Sequence, residues 1–371
     1  MGSRILSFIG LFILSALPAW SQTEEWKDEY SRFTDLTPWV RSSNPAGIAT
    51  LPVGKISTVR AGLEKKDGGL TDLHESRDCF RPNLEAASYM KVSDRITFYG
   101  RMDYSYFKGK DMGGPILMDP YYNPVNFLES VDTTTGTKTL EEYTLEGAMA
   151  YSLNDRLTLA GKINFQSADY AKRKDPRSYS QWMDLDASFG ARYSLADGKG
   201  AFGISLNYTK TIETVAEKLF GTLDRQYYCL VDYGGSFGKV EIIDGDNGYL
   251  SVSNERPMFN QFFGGSAQAE FKVGGVTAFL DLGAAYRNGY FGKKASGSVR
   301  FCDFDGMRYS LGTRISFKTG KLLNRIDGSW NIMTSLNKEN TYRVSTQPGQ
   351  NPEIQYFGSQ EVGDKTVGRV K

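Results

Sequence analysis

Residues 143–165 read YTLEGAMAYSLNDRLTLAGKINF, and their alternation decides the fold. Tyr143, Leu145, Gly147, Met149, Tyr151 and Leu153 fall on one face of an extended chain. Thr144, Glu146, Ala148, Ala150 and Ser152 fall on the other. Asn154-Asp155-Arg156 turns the chain, and the same period of two resumes with Leu157, Leu159, Gly161, Ile163 and Phe165 against Thr158, Lys162 and Asn164. Such alternation, closed by a tight Asn-Asp turn, predicts a hairpin with one apolar and one polar face. Tyr, Phe, Leu and Gly on the apolar face suit contact with lipid better than a packed core.

The pattern recurs along the chain. Strands are expected at Ile56–Glu64, Leu84–Val92, Ile96–Phe107, the two arms above, Met183–Leu195, Phe202–Thr209, Phe262–Val273, Val276–Arg287, Met307–Lys318 and Leu322–Leu336. Their lengths suit a tilted bilayer crossing. On one side the connections are tight: Ser93-Asp94-Arg95, Asn154-Asp155-Arg156, Asp197–Gly200, Val273–Gly275 and Thr319–Lys321. On the other they are long: Lys65–Asn83, Lys108–Glu142, Tyr170–Trp182, Lys210–Asn260 and Asn288–Gly306. Short turns facing the periplasm and long loops facing outward mark an outer-membrane barrel, and a soluble sandwich has no reason to sort its loops so. Within the longest loop, Gln226–Gly238 and Tyr249–Asn254 read as extracellular hairpin extensions.

Composition agrees with this reading without proving it. No apolar run after the start is long enough for a membrane helix, and mean hydropathy is −0.41. A barrel gives the same average, because lipid-facing and lumen-facing residues alternate. A net charge of +1 over 371 residues offers no electrostatic reason for a nucleic-acid partner. An aromatic fraction of 13% suits interfacial girdles. Cys79, Cys229 and Cys302 are odd in number and lack metal-ligand spacing, which leaves one disulfide with a spare thiol, or three free thiols.

The expected layout is an all-β, transmembrane, antiparallel up-and-down barrel with a short helical hatch before it. Residues 1–21 read as a signal peptide, with Arg4, an apolar stretch Ile5–Leu17 and Ala19-Trp20-Ser21. Residues 22–54 read as a periplasmic hatch segment: Trp26, Tyr30, Phe33 and Leu36 have helical spacing and Pro38-Trp39 ends the helix. Residues 55–371 read as the barrel. The last expected strand points outward, and Asn337–Lys371 looks polar and turn-rich with no clear closing strand. The reading is therefore of a barrel truncated at its C-terminus, with about fourteen strands when complete.

Trp39 followed by Asn44-Pro45-Ala46-Gly47 before the first strand resembles the stretch that opens the long-chain fatty-acid transporters of the outer membrane. It is also similar to related barrels of Bacteroidota, some attached to secretion and gliding systems, and the layout resembles an uncharacterised Bacteroidota outer-membrane barrel family. The resemblance implies that the N-terminal segment, with Trp39, Asn44, Pro45, Ala46 and Gly47, forms a hatch within the barrel. It also implies passage of a hydrophobic substrate.

Alternation assigns the lumen-facing charges: Glu85, Lys91, Arg101, Asp103, Glu146, Lys162, Asp184, Asp186, Arg192, Glu270, Lys272, Asp281, Arg287, Arg308, Arg314 and Asp327. Both signs mix on neighbouring strands, which favours cross-strand ion pairs that brace the interior over a filter for one charge. Asp184 and Asp186 face the same way as Lys162 and Glu146, so one paired network is expected. In the long loop Asp111–Leu128, Met118, Tyr121, Tyr122 and Phe127 form an apolar, Pro-fixed segment. It reads equally as an exposed contact for a partner or as a lid folded over the barrel mouth.

Nothing points to an enzyme. His74 is the one histidine and sits among loop carboxylates; barrel hydrolases need a Ser or Asp beside a His base. The Gly-rich loops lack a phosphate-binding context, and Asp244-Gly245-Asp246-Asn247-Gly248 lacks the Glu of a calcium loop. No cofactor or metal is expected. Outer-membrane lipid is the expected partner, with passage or gated uptake of a small or amphipathic solute as the function. The alternative is an adaptor barrel whose long loops hold a surface or secretion-system protein.

Overall fold

The protein is described from a computed structural model over residues 37–69, 71, 75–129, 134–221, 226–243, 256–294, 298–320, 322–347, 349 and 351–371. The expected signal peptide, most of the amphipathic helix, His74, the Asp244–Gly248 stretch and the Tyr249–Asn254 piece lie outside these residues.

Two 3-10 turns, Pro38–Arg41 and Pro45–Thr50, precede sixteen strands: β1 (Lys55–Asp67), β2 (Asp78–Lys91), β3 (Ile96–Met112), β4 (Gly114–Pro115), β5 (Asn126–Glu129), β6 (Gly136–Ser152), β7 (Leu157–Lys172), β8 (Arg177–Ser194), β9 (Gly200–Lys218), β10 (Tyr227–Asp232), β11 (Gly238–Ile243), β12 (Arg256–Val273), β13 (Val276–Gly292), β14 (Arg300–Thr319), β15 (Leu322–Ser345) and β16 (Glu353–Val370). Twelve form one antiparallel up-and-down sheet in the order β1-β2-β3-β6-β7-β8-β9-β12-β13-β14-β15-β16. The other four form a small sheet, β11-β10-β5-β4.

The opening hairpin has the expected register: Tyr151 faces Leu159, Met149 faces Gly161 and Leu145 faces Phe165. Following that register from strand to strand puts all sixteen assigned lumen charges on one side of the large sheet. The opposite side carries apolar residues open to the surroundings, such as Leu206 (70% exposed), Ile204 (67%) and Ile163 (58%). A soluble monomer does not leave a continuous belt of this kind in water; hydrocarbon is its natural solvent. The sheet curls around its polar side. The turn Pro45–Thr50 touches β3, β6, β7 and β8, while Trp39 and Ser43, just before it, bond to Glu270 on β12 and Asp281 on β13. A transmembrane β-barrel wall wrapped around an inserted segment accounts for these contacts. No described helix is long and apolar enough to cross a membrane.

Several expectations need correction. The strands run further on the long-loop side than expected, and the Tyr170–Trp182 connection is only residues 173–176. Pro and polar residues there look like loop material, but a strand projecting beyond lipid no longer needs an apolar outer face. The polar stretch after Leu336 does hold a descending strand, β16, paired along β15 from Trp330↔Val370 to Ser345↔Glu353. Its alternation is weak because Tyr356 and Phe357 are consecutive and Gly358, Gly363 and Gly368 interrupt the pattern. The main sheet thus has twelve strands rather than eleven, with β1 and β16 at its edges. Gln226–Gly238 does begin a hairpin, with β10 turning through Tyr233–Phe237 into β11, but it belongs to the small sheet rather than extending the barrel strands. The three cysteines are free and buried.

Candidate functional site

Two pieces of chain enter the barrel, one from each end. At the short-turn end, Trp39 is almost fully buried and its indole N–H donates to Glu270 Oε2 at 2.6 Å. The Arg192 guanidinium lies 4.8 Å from the centre of the Trp39 ring system and 3.9 Å from Glu270, and Phe279 meets Trp39 edge-on. Asn44 caps the second turn by accepting from Ala46 N–H at 3.0 Å. Its amide donates to Ala191 O at 2.9 Å and Gln268 Oε1 at 2.9 Å on the barrel wall. Ser43 N–H donates to Asp281 Oδ2 at 2.8 Å. Ala46 and Ile48 pack against Ala148, Ala150 and Ala160, small inward residues that leave them space.

The seat is cut to the segment in glycine. A Cβ at Gly203 would stand 2.7 Å from Asn44 Nδ2 and from Trp39 Cζ3, and one at Gly190 2.2 Å from Asn44 Oδ1. Gly47 is required within the segment itself, because a Cβ there would lie 1.9 Å from Trp39 O. Below this seat opens a polar vestibule of about 790 Å³, lined by turn residues such as Asp94, Asn154 and Asp155 and by Lys272 at the end of β12.

The outer mouth is filled by the small sheet and the loop 116–125. Ile116, Leu117, Val125, Phe127, Cys229 and Val231 form one buried apolar cluster with Val215, Met258, Phe291, Cys302 and Phe304 of the barrel wall. Fixed polar contacts tie the loop to that wall. Glu213 accepts from Met118 N–H (2.7 Å), Ser180 Oγ (2.6 Å) and Asn123 Nδ2 (2.8 Å). Arg287 donates to Tyr122 O (2.8 Å) and Asn260 Oδ1, packed among the rings of Tyr122, Phe262 and Phe304. Lys365 donates to Asn123 O at 2.9 Å and Pro120 O at 3.3 Å. Lys138 donates to Pro115 O (2.7 Å), and both Lys138 and Lys172 pair with buried Glu129. Between the two closures remains a chamber of about 230 Å³.

With this geometry in place, comparison with known proteins adds a family. Residues 45–365 match the model described as "Family of unknown function (DUF6850)". The chain belongs to that family. No curated protein matches it. Solved structures similar to this family member include the Pseudomonas putida toluene transporter TodX, at 6% identity over 89% of this chain and 91% of the other, with a TM-score of 0.31. An outer membrane channel from Pseudomonas putida F1 is 12% identical over 87% and 97%, with a TM-score of 0.31. A Pseudomonas aeruginosa FadL homologue is 10% identical over 88% and 91%, with a TM-score of 0.25. Likenesses this slight carry no functional inference.

The residues assigned to the lumen form several separate groups rather than one network. Arg101 bridges Asp103 (3.0 Å) and Glu146 (3.4 Å), and Lys162 reaches Glu146 at 3.8 Å. Glu85 pairs with Arg60, and Arg314 with Asp327. Arg192 and Glu270 hold Trp39 as described. Asp184 and Asp186 do not join Lys162 and Glu146: their partners are the Thr211 and Thr209 hydroxyls on the next strand. Arg287 is a closure anchor with no carboxylate against it among the described residues. The reading of Asp111–Leu128 as an exposed docking patch is also corrected. Phe127 is fully buried, Tyr122 packs on Trp182 and Phe262, Met118 is part-buried, and only Tyr121 stands well exposed.

Sequence reasoning missed Glu129, Lys138, Lys172, Glu213 and Lys365. The signal for Glu213 was present: Thr209, Thr211, Glu213, Val215 and Glu217 continue the inward alternation of β9. For Lys138 and Lys172 the same parity extends β6 and β7 outward.

Proposed function

We propose that this protein is an outer-membrane barrel for gated passage of a small solute, with residues 37–51 as a periplasmic hatch and residues 113–129 as an outer lid. The observation that carries this reading is the pair of closures at opposite ends with a water-accessible chamber between them. A barrel that only braced a surface partner would have no need for two separate plugs. The hatch is tied to the wall mainly by hydrogen bonds, individually worth only about 0.5–1.5 kcal/mol net, and the lid by hydrogen bonds together with the apolar cluster around Phe127. A plug held this way can swing aside without unfolding the wall.

The lid supports a transport reading over an adaptor in another way. Folding Tyr122 and Phe127 inward withdraws the side chains a docking patch would need. Planar-bilayer recording tests the proposal. The intact protein is expected to conduct little, and removing residues 37–51 or replacing Trp39 and Asn44 with Ala is expected to raise conductance severalfold. Unchanged conductance in both variants, with the outer lid also released by Glu213→Ala, would sink the transporter.

A further inference from the structure

The chamber between the closures has a chemistry of its own, and it deepens the passage reading on which it rests by naming a substrate class. Arg308 on β14 contributes a guanidinium to its lining. Among the described residues that guanidinium has no hydrogen-bond acceptor or ion-pair partner; it stacks on the Phe262 ring at 3.8 Å. A guanidinium that stacks by its face keeps its N–H edge for an in-plane acceptor. Ser310, two residues along on the same inward face, lines the same space.

On the other wall, β8 supplies Asp186 and Ser188. Asp186 accepts from the Thr209 hydroxyl but has no cation within ion-pair distance among the described residues. Lys162 beside it lies 3.8 Å from Glu146 instead. The Ser188 hydroxyl is buried with no partner. In the sheet, β8 and β14 are separated by β9, β12 and β13, so the two walls confront one another across the curled interior.

Arg308, within coulombic range of Asp184 but not in contact with it, and Asp186 thus face one space with no contact partner of opposite charge among the described residues, and such buried groups are costly unless something meets both. An anion alone would satisfy Arg308 and be repelled by Asp186; a cation alone would meet the reverse. An uncharged solute would leave both unmet. The volume, about 230 Å³, is below the roughly 300–1,000 Å³ of drug-sized sites. An extended acyl chain does not fit.

We propose that this chamber binds a compact zwitterion of amino-acid size, with its anionic end on Arg308 and Ser310 and its cationic end on Asp186 and Ser188. Calorimetric titration of the full chain in detergent tests it, with glycine, acetate and methylammonium as probes. Glycine is expected to bind saturably and at least tenfold more tightly than either single-charge probe. Arg308→Met and Asp186→Asn should each cost glycine tenfold or more, while the double variant should lose little beyond one single variant, because both ends hold one ligand. Arg308→Lys, which keeps the charge, should retain part of the affinity, and circular dichroism should show the same strand content throughout.

Absence of saturable glycine binding, acetate binding as tight as glycine, or indifference to Asp186→Asn would each overturn the proposal. The passage reading fails separately. Swelling of proteoliposomes in an uncharged pentose reports passage whether or not glycine binds. Swelling without glycine binding overturns the zwitterion site alone, and glycine binding without swelling supports the site while counting against passage.

Discussion

At the scale of single residues, the inner wall is shaped by what is missing from it. Gly190 and Gly203 lie at inward positions where any side chain would strike Asn44 or Trp39. Overpacking such a site costs typically about 1–3 kcal/mol. Gly203→Val is therefore expected to unseat residues 37–51 while the strands persist. Since about 1.4 kcal/mol is a factor of ten in population, trypsin should cut after Arg41 roughly tenfold faster in the variant. An unchanged cutting rate would mean that the segment is not seated by this contact. The connection at residues 173–176 gives a pH dependence. Burial alone would raise the Asp175 carboxyl, but N–H donors from Gly221 (2.6 Å) and Phe220 (3.1 Å), together with Arg177, outweigh it and hold it below its usual value of 3.8. A depressed folded value means stabilisation present above the ordinary aspartate range and lost as pH falls through the lowered one. Exchange protection of the Gly221 amide should thus persist at pH 5 and fade in more acidic buffer. Asp175→Asn should remove that dependence, and a profile identical in both proteins would exclude the carboxylate as its source.

At the scale of elements, the outer lid depends on a few acceptors and donors that reach in from several strands. Glu213 alone serves three donors, two of them on the loop. Glu213→Ala leaves the Met118 N–H, the Asn123 amide and the Ser180 hydroxyl without that acceptor, at about 1–3 kcal/mol for each group left buried and unpaired. The variant is expected to open more often in bilayer recordings, and the Met118 amide should exchange at least tenfold faster. Glu213→Gln, which keeps a carbonyl acceptor, should fall between. Equal exchange in all three proteins would show that the apolar cluster around Phe127 and Phe291 holds the lid by itself. That cluster also makes the inner face apolar toward its outer end. Val215, Met258, Phe291 and Phe304 point inward, but toward another piece of protein rather than toward water.

At the scale of the whole molecule, local periodicity made the wall legible. The turns at 93–95, 154–156, 197–200 and 273–275, the register of the opening hairpin and the sidedness of all sixteen charges follow from a period of two, which needs no knowledge of distant partners. Strand ends were less legible, because beyond the lipid an outward face tolerates polar residues. β16 was missed because consecutive Tyr356-Phe357 and the glycines Gly358, Gly363 and Gly368 interrupt its alternation. The interior was different in kind. Trp39 meets Glu270 across 231 positions, and Asn44 meets Gln268 across 224. Such contacts depend on which strands face one another once the sheet has curled. The motif around Asn44 and Pro45 showed that something special precedes the first strand, yet not which glycines would receive it. By itself the sequence determined that the chain makes a two-faced sheet and which side each residue takes, since side-chain alternation is a property of the extended backbone. Only the tertiary structure decided that both ends are plugged and that Arg308 and Asp186 share one chamber, because curvature brings together walls that no local pattern connects.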